Sequence, residues 1–144
     1  MADTITGHEI RDQIKAMWPD AYALNTDSKF LVPSEAEVRD LIIDRSAASI
    51  KVLDDIAECD DISVILWGRI KEARALQAAD NLIAAEDQLS WPLGICFGLS
   101  FHGWSGSHWQ NICFTKQGIL MIEPQLNNFW FASYPDDDVR FALI

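Results

Sequence analysis

Cys59 is the residue of this chain best suited to nucleophilic chemistry. It stands directly before an apolar helical pattern, in the stretch CDDISVIL. Because the first N–H groups of a helix are unpaired and the helix dipole places partial positive charge there, this position favours a thiolate, the nucleophilic form of cysteine. The alternative is a small buried residue without chemistry, since free cysteine is among the most buried residue types. That alternative suits Cys96 and Cys113, which lie within apolar runs.

A histidine and a carboxylate follow in an order that could serve such a thiol. His108 opens a predicted hairpin, in SGSHWQNI, and Glu123 ends its second strand, in MIEPQ. If the turn lies at residues 115–118, both side chains lie at the open end of neighbouring strands. The histidine could then act as general base while the carboxylate holds its ring. The alternatives are a solvated loop histidine and a strand-edge carboxylate paired with lysine or arginine, and His102 competes for the role of base.

Four further side chains near this end of the predicted hairpin could support a site. Asn111 and Gln125 carry amides that could position the histidine or donate to an oxyanion, or simply cap loop backbone. Trp104 and Trp109 flank His108 and could line a cleft, with core packing as the alternative.

Asp60 and Asp61 directly follow the cysteine. Acidic residues at the start of an apolar helical pattern are ordinary helix caps. As carboxylates beside a thiolate they would also raise its pKa, an effect that a nearby cation would relieve. They are therefore the candidates for a metal site beside Cys59.

Three stretches of the chain together resemble a known group of proteins. CDDISVIL, GSHWQNI and ILMIEPQ resemble the papain-like cysteine protease domains related to the C-terminal domain of the Marasmius oreades agglutinin. Similar phage and bacterial proteins are described as lectin-like or agglutinin-like. The resemblance runs from about residue 30 to the C-terminus. It implies that Cys59 is the nucleophile, His108 the general base and Glu123 the residue that orients the histidine.

The same resemblance carries further implications for topology and cofactors. It implies a papain-like topology, protease activity and activation by calcium or manganese, although we expect no required cofactor. Ile62 stands where the group has an aromatic residue, a departure that should affect packing more than chemistry. The sugar-binding trefoil domain of the agglutinin has no counterpart in this sequence, so nothing in the sequence supports lectin activity.

The elements that would position these residues are helices first and strands afterwards. Capping-box patterns at Thr6 and Ser34 predict two N-terminal helices, and an apolar spacing of three and four predicts a long helix after Cys59. From Trp91 onwards, apolar runs separated by turns predict a hairpin and further strands. We therefore expect an α+β fold with a papain-like or transglutaminase-like core, in which N-terminal helices and the long helix pack on a C-terminal antiparallel sheet. Residues 1–144 should form a single papain-like domain.

Composition limits the environment and the partners of the chain. Its net charge of −11 disfavours binding to nucleic acid or to an anionic membrane, because both need lysine and arginine. The N-terminus does not resemble a secretory signal, and no apolar run reaches the roughly 20 residues of a membrane span. Three cysteines without short spacing fit a reducing compartment, so we expect the cytoplasm, that of a bacterial host if the protein is phage-encoded.

These observations favour a small cysteine hydrolase or acyl-transfer enzyme that is protease-like. In this interpretation the Cys59 thiolate attacks a carbonyl of a protein or peptide substrate, His108 relays the proton and Glu123 holds His108. The backbone N–H of Cys59 would contribute to the oxyanion hole.

Two alternatives stay open. One is a non-catalytic acidic binding or inhibitor protein of phage origin on a papain-like scaffold, for example an anti-defence or anti-CRISPR protein that binds a host protein. The net charge and the acidic clusters at Asp54 with Asp55 and at residues 136–138 favour it. The other is a zinc site formed by the cysteines and His108, against which their scatter and the lack of a Cys-x-x-Cys pair both argue.

Overall fold

A computed structural model describes residues 3–53 and 57–144, which form three α-helices and eight strands. The helices are α1 (Gly7–Met17), α2 (Glu35–Asp44) and α3 (Cys59–Ala79), and Ala85–Asp87 form a 3-10 turn. The strands are β1 (Thr4–Thr6), β2 (Tyr22–Leu24), β3 (Lys29–Leu31), β4 (Leu93–Gly98), β5 (His108–Thr115), β6 (Gly118–Glu123), β7 (Asn128–Phe131) and β8 (Val139–Leu143). Asp54 and Asp55, one of the two predicted acidic clusters, lie outside the described residues.

Local sequence signals begin α1 and α2. The Thr6 hydroxyl accepts the N–H of Glu9 at 3.2 Å, and the Glu9 carboxylate accepts the N–H of Thr6 at 2.7 Å. Ser34 and Glu37 form the same reciprocal pair at 3.2 and 2.7 Å. Each capping box satisfies two backbone N–H donors near the helix start. Both predicted capping boxes are confirmed.

A six-stranded sheet in the order β2-β8-β4-β5-β6-β7 forms the centre of the structure, and β1 pairs with β3 in a separate small sheet. The β5–β6 hairpin turns where Thr115 pairs with Gly118. Gly118 has a φ of +141°, a conformation that favours glycine. The predicted hairpin and its turn at residues 115–118 are therefore confirmed.

The predicted C-terminal antiparallel sheet is wrong in two respects. The large sheet is mixed, because β2 from the N-terminal part of the chain pairs in parallel with β8. The sequence pattern also does not predict β1 and β2. The physical reason is length, since each has three residues, too few for the alternation that predicts a strand. Their formation depends on pairing with distant segments, as Tyr22 does with Phe141.

The large sheet is covered on both faces. Because side chains alternate along a strand, Ile112 and Phe114 of β5 point to one face and Cys113 to the other. The first face, here the α1 face, packs against Ile10 and Ile14. On the second, the α3 face, the helix contributes Ile62, Leu66 and Ile70. None of the described helices is both long and apolar enough to span a membrane.

Candidate ligand-binding site

His108 and Glu123 form a buried hydrogen-bonded pair at the open end of the β5–β6 hairpin. His108 is the first residue of β5 and Glu123 the last of β6, and Nε2 of the imidazole is hydrogen-bonded to Oε2 of the carboxylate. Their side chains are 2% and 4% exposed. The other carboxylate oxygen accepts the backbone N–H of Gln125 at 2.9 Å. The structure thus joins two of the predicted site residues. The imidazole also gives the buried Glu123 carboxylate a hydrogen-bond partner, without which its burial would be costly.

The His108 ring is held by aromatic neighbours. The Trp104 ring stacks on it with 3.9 Å between centroids and 16° between planes, and the Phe101 ring meets it edge-on at 6.2 Å. Trp104 lies at the end of a tight turn, in which its N–H donates to the Phe101 carbonyl at 2.9 Å. Gly103 within that turn has a φ of +76°, which favours glycine. This turn therefore fixes the position of Trp104 over the imidazole.

Cys59 is joined to this pair by no hydrogen bond among the described residues. It begins α3 and is half-buried. That helix packs on the α3 face through Ile62, Leu66 and Ile70. The structure therefore brings together the histidine and the carboxylate of the predicted triad and places the cysteine at the N-terminus of α3.

Two other predicted site residues, Asn111 and Trp109, make contacts with parts of the structure other than the histidine–glutamate pair. The Asn111 amide donates to the carbonyl of Ser63 on α3 at 2.9 Å, so it ties the sheet to that helix. The Trp109 ring packs against the rings of Phe97 and Phe141, with centroids 5.3 and 5.9 Å away. Both side chains thus have contacts away from the imidazole.

The cysteines and acidic residues considered for metals are dispersed. Cys96 and Cys113 are buried, and burial raises the pKa of both thiols. Asp60 and Asp61 lie in the first turn of α3, where the Asp61 carboxylate accepts the N–H of Glu58 at 3.0 Å. Across residues 3–53 and 57–144, no group of three or more histidine, cysteine or acidic side chains is arranged to hold a metal ion. Dependence on calcium or manganese stays a prediction.

A cleft of about 370 Å³ opens beside the histidine–glutamate pair. Trp104 and Trp130 contribute indole rings to its lining, Glu123 contributes a carboxylate and Asn128 an exposed amide. The other lining residues are His102, Gly103, Leu126 and Phe129. The cleft therefore combines flat apolar surfaces with a few hydrogen-bonding groups, the usual composition of a small-molecule site.

Asp137 is a fully buried carboxylate that fixes two sides of this cleft. It accepts the indole N–H of Trp130 at 3.0 Å, the backbone N–H of Ser133 at 2.9 Å and that of His102 at 3.1 Å. His102 itself is exposed, and its Nδ1 lies 4.0 Å from an oxygen of Asp136. One carboxylate thus positions both a wall of the cleft and the turn that follows β4.

Sequence reasoning missed this residue because it lies in an acidic run. Residues 136–138 read as one solvated acidic cluster, but Asp137 is 0% exposed while Asp138 pairs with Arg140 at 3.0 Å. Nothing local distinguishes the three aspartates. Only the distant partners of Asp137 do so, and these become neighbours when the sheet forms.

The fold of this chain is similar to that of part of two solved structures. No family model and no curated protein sequence matches the chain. A structure titled "PSL1a-E64 complex" matches with a TM-score of 0.73 and 19% identity, over 98% of this chain and 50% of that one. A crystal structure of Polyporus squamosus lectin bound to the epitope Neu5Aca2-6Galb1-4GlcNAc matches with a TM-score of 0.70 and 19% identity, over 98% and 49%. The chain therefore shares the fold of a part of these proteins and spans about half of their length.

These neighbours correct the assignment made from sequence. They are the lectin PSL1a rather than papain-like proteases, so the predicted papain-like protease domain, its fold and its cysteine-hydrolase function are wrong. Nothing in the comparisons supports a phage origin or an anti-defence inhibitor. The physical reason is that three short motifs specify a helix start and two strand ends. They do not specify how the helix and the strands are arranged.

Proposed function

We propose that this domain binds a saccharide in the cleft between Trp104 and Trp130. The observation that carries the proposal is the convergence of two indole rings, one carboxylate and one amide on a space of about 370 Å³. Clefts of this size, mostly apolar and with a few convergent polar groups, are the usual form of small-ligand sites. The fold shared with part of a lectin supports the same proposal, although nothing in the sequence itself supported lectin activity.

The lining matches the chemistry of a sugar ring. A pyranose presents an apolar C–H surface on its faces and hydroxyl groups around its rim. An indole offers a large, rigid, flat surface for the apolar face. The Glu123 carboxylate accepts hydrogen bonds from hydroxyls, and the Asn128 amide both donates and accepts. Since Glu123 is already held by His108, its orientation is set before a ligand arrives.

The charge of the cleft favours a neutral saccharide over one that carries a carboxylate. Glu123 lines it, Asp136 lies beside its His102, and no lysine or arginine is among its described lining residues. The whole chain adds a net charge of −11. A ligand carboxylate would therefore meet repulsion without a compensating cation.

A glycan array of neutral and carboxylate-bearing saccharides tests this proposal directly. It should include Galβ1-4GlcNAc with and without a terminal Neu5Ac, which differ by one charged sugar. We expect retention on neutral saccharides and weaker retention on their carboxylate-bearing forms. Retention on none of the saccharides would overturn the proposed function, and preference for the charged forms would overturn the charge argument.

Two matched tryptophan variants locate the site. Trp130→Phe replaces the indole by a smaller ring and removes the N–H that donates to Asp137. Saccharide affinity should therefore fall about tenfold, which corresponds to about 1.4 kcal/mol of binding free energy. Trp109→Phe alters a tryptophan packed against Phe97 outside the cleft and should leave affinity unchanged. Equal effects of the two substitutions, measured by calorimetry, would place binding elsewhere.

A further inference from the structure

We propose a second ligand site, in the groove between residues 67–78 of α3 and residues 83–93, for a small organic carboxylate with an apolar body. The groove has a volume of about 200 Å³. The helix side contributes Trp67, Ile70, Lys71, Arg74, Ala75 and Ala78, and the facing segment contributes Ile83, Gln88, Leu89, Ser90, Trp91 and Leu93. This groove shares no lining residue with the saccharide cleft.

The walls of the groove suit an apolar body of aryl size. The indole rings of Trp67 and Trp91 lie among aliphatic side chains. On the helix side, the small side chains of Ala75 and Ala78 leave space for a ligand. For scale, an apolar cavity of about 150 Å³ accommodates benzene. A volume of about 200 Å³ therefore has room for one aromatic ring or a short branched chain together with a carboxylate.

Two cations stand over these rings and have only loose partners. The Arg74 guanidinium carbon lies 4.9 Å from the centroid of the Trp91 ring, and the Lys71 ammonium lies 5.6 Å from that of Trp67. The Lys71 ammonium lies 3.9 Å from a carboxylate oxygen of Asp27 and donates to the Ser90 hydroxyl at 3.4 Å, both long contacts. Arg74 has no ion pair within 4.0 Å in the described part of the chain, and its two carbonyl contacts are long, at 3.3 and 3.4 Å. Both cations are thus available to an additional anion.

Two buried N–H donors at the groove also lack partners. The indole Nε1 of Trp67 and the Nε of Arg74 are shielded from solvent and make no hydrogen bond with described residues. Buried donors in folded proteins are nearly always satisfied, so an unpaired pair at one groove points to a missing acceptor. A carboxylate supplies two oxygen acceptors, and the arginine fork binds it through two parallel N–H groups.

The charge of the surroundings makes this groove unusual within the molecule. The chain carries 22 acidic and 11 basic residues, yet this groove is lined by a lysine and an arginine and by no acidic side chain among its described lining. Burial lowers the pKa of Arg74, and the negative charges of Glu37 and Asp87 oppose this effect. A bound carboxylate would offset that cost of burying the guanidinium.

Phenylacetate and phenylacetamide form a matched pair of probes, with the same ring and with or without the charge. We expect phenylacetate to shift the indole N–H resonance of Trp67 in a saturable titration. Phenylacetamide should bind about tenfold more weakly. Equal binding of the two probes, or no saturation by phenylacetate below about 10 mM, would overturn the proposal.

Three variants complete the test. Arg74→Gln should weaken phenylacetate binding about tenfold, whereas Arg11→Gln, which removes the same charge from an exposed position of α1, should not change it. Ala78→Leu fills the groove without altering charge and should weaken both probes, which keeps the test decisive if Arg74→Gln fails to fold. Full phenylacetate binding in folded Arg74→Gln or in Ala78→Leu would contradict the site. Because Trp130→Phe should leave phenylacetate binding intact, this result is independent of the saccharide proposal.

Discussion

The indole N–H of Trp130 donates to the buried carboxylate of Asp137 at 3.0 Å, and the same carboxylate accepts the backbone N–H of His102 from the turn after β4. The two sides of the proposed saccharide cleft are therefore held by one residue. The second buried carboxylate, Glu123, lies in the cleft and is held by His108. Hydrogen bonds thus preorganise the cleft before a ligand binds, which lowers the entropic cost of binding.

Asp137→Asn should damage both stability and binding. The amide offers one oxygen acceptor instead of two and turns an NH2 group toward the donors of Trp130 and Ser133. Leaving a buried donor unsatisfied costs about 1–3 kcal/mol, so the free energy of unfolding in urea should fall by about that amount, and saccharide affinity should fall with it. The exposed Asp136 provides the matched control, since Asp136→Asn should leave stability within about 0.5 kcal/mol. Equal stability of the two variants would show that Asp137 does not organise the cleft.

Glu123→Gln tests the charge on the cleft carboxylate. Glutamine keeps the shape but weakens the hydrogen bond to His108 and to ligand hydroxyls, because bonds to an ionised acceptor are roughly twice as strong as neutral ones. We expect saccharide affinity, measured by calorimetry, to fall by about fivefold to tenfold. Glu86 is exposed and is not among the residues that line the cleft, so Glu86→Gln should leave saccharide affinity unchanged. Unchanged affinity in Glu123→Gln would remove this carboxylate from the site.

The capping box of α2 predicts a pH-dependent contribution to stability. The pKa of Glu37 is lowered chiefly because its carboxylate accepts the backbone N–H of Ser34. A depressed folded-state pKa stabilises the fold fully above the unfolded-state pKa, and the effect is lost as pH falls through the folded-state value. Glu37→Gln should therefore make the loss of stability between about pH 5 and pH 3 shallower, as measured by urea unfolding at each pH. An identical pH profile for wild type and variant would contradict this assignment.

Thiol labelling should separate the three cysteines by burial. Cys96 and Cys113 are buried and burial raises the pKa of each, whereas Cys59 is half-buried at the start of α3. In the native state iodoacetamide should therefore modify Cys59 first and leave the other two until the protein unfolds. Mass spectrometry of labelled peptides, with and without urea, measures this order. Early labelling of Cys113 would mean that the α3 face of the sheet opens readily.

Features that depend on neighbouring residues could be predicted from the sequence. Ser34 and Glu37 are three residues apart and cap one helix, and the turn at residues 115–118 sets the register that brings His108 near Glu123. Such features follow from spacing and from local backbone geometry.

Features that depend on distant partners could not be predicted. The parallel pairing of Tyr22 with Phe141 and the burial of Asp137 both arise when the sheet assembles. The prediction of a papain-like fold was wrong for the same reason. Cys59 and His108 lie at a helix start and a strand start as predicted, but such local features do not specify the fold to which they belong.

The most direct test of the saccharide cleft is an NMR titration that follows all six tryptophan indole N–H resonances. A neutral saccharide retained on the glycan array is added until saturation. The predicted result is that the resonances of Trp104 and Trp130 shift together with one binding constant, while those of Trp67 and Trp91 stay in place. Shifts at Trp67 and Trp91 alone, or no shift at Trp104 and Trp130, would contradict saccharide binding in this cleft.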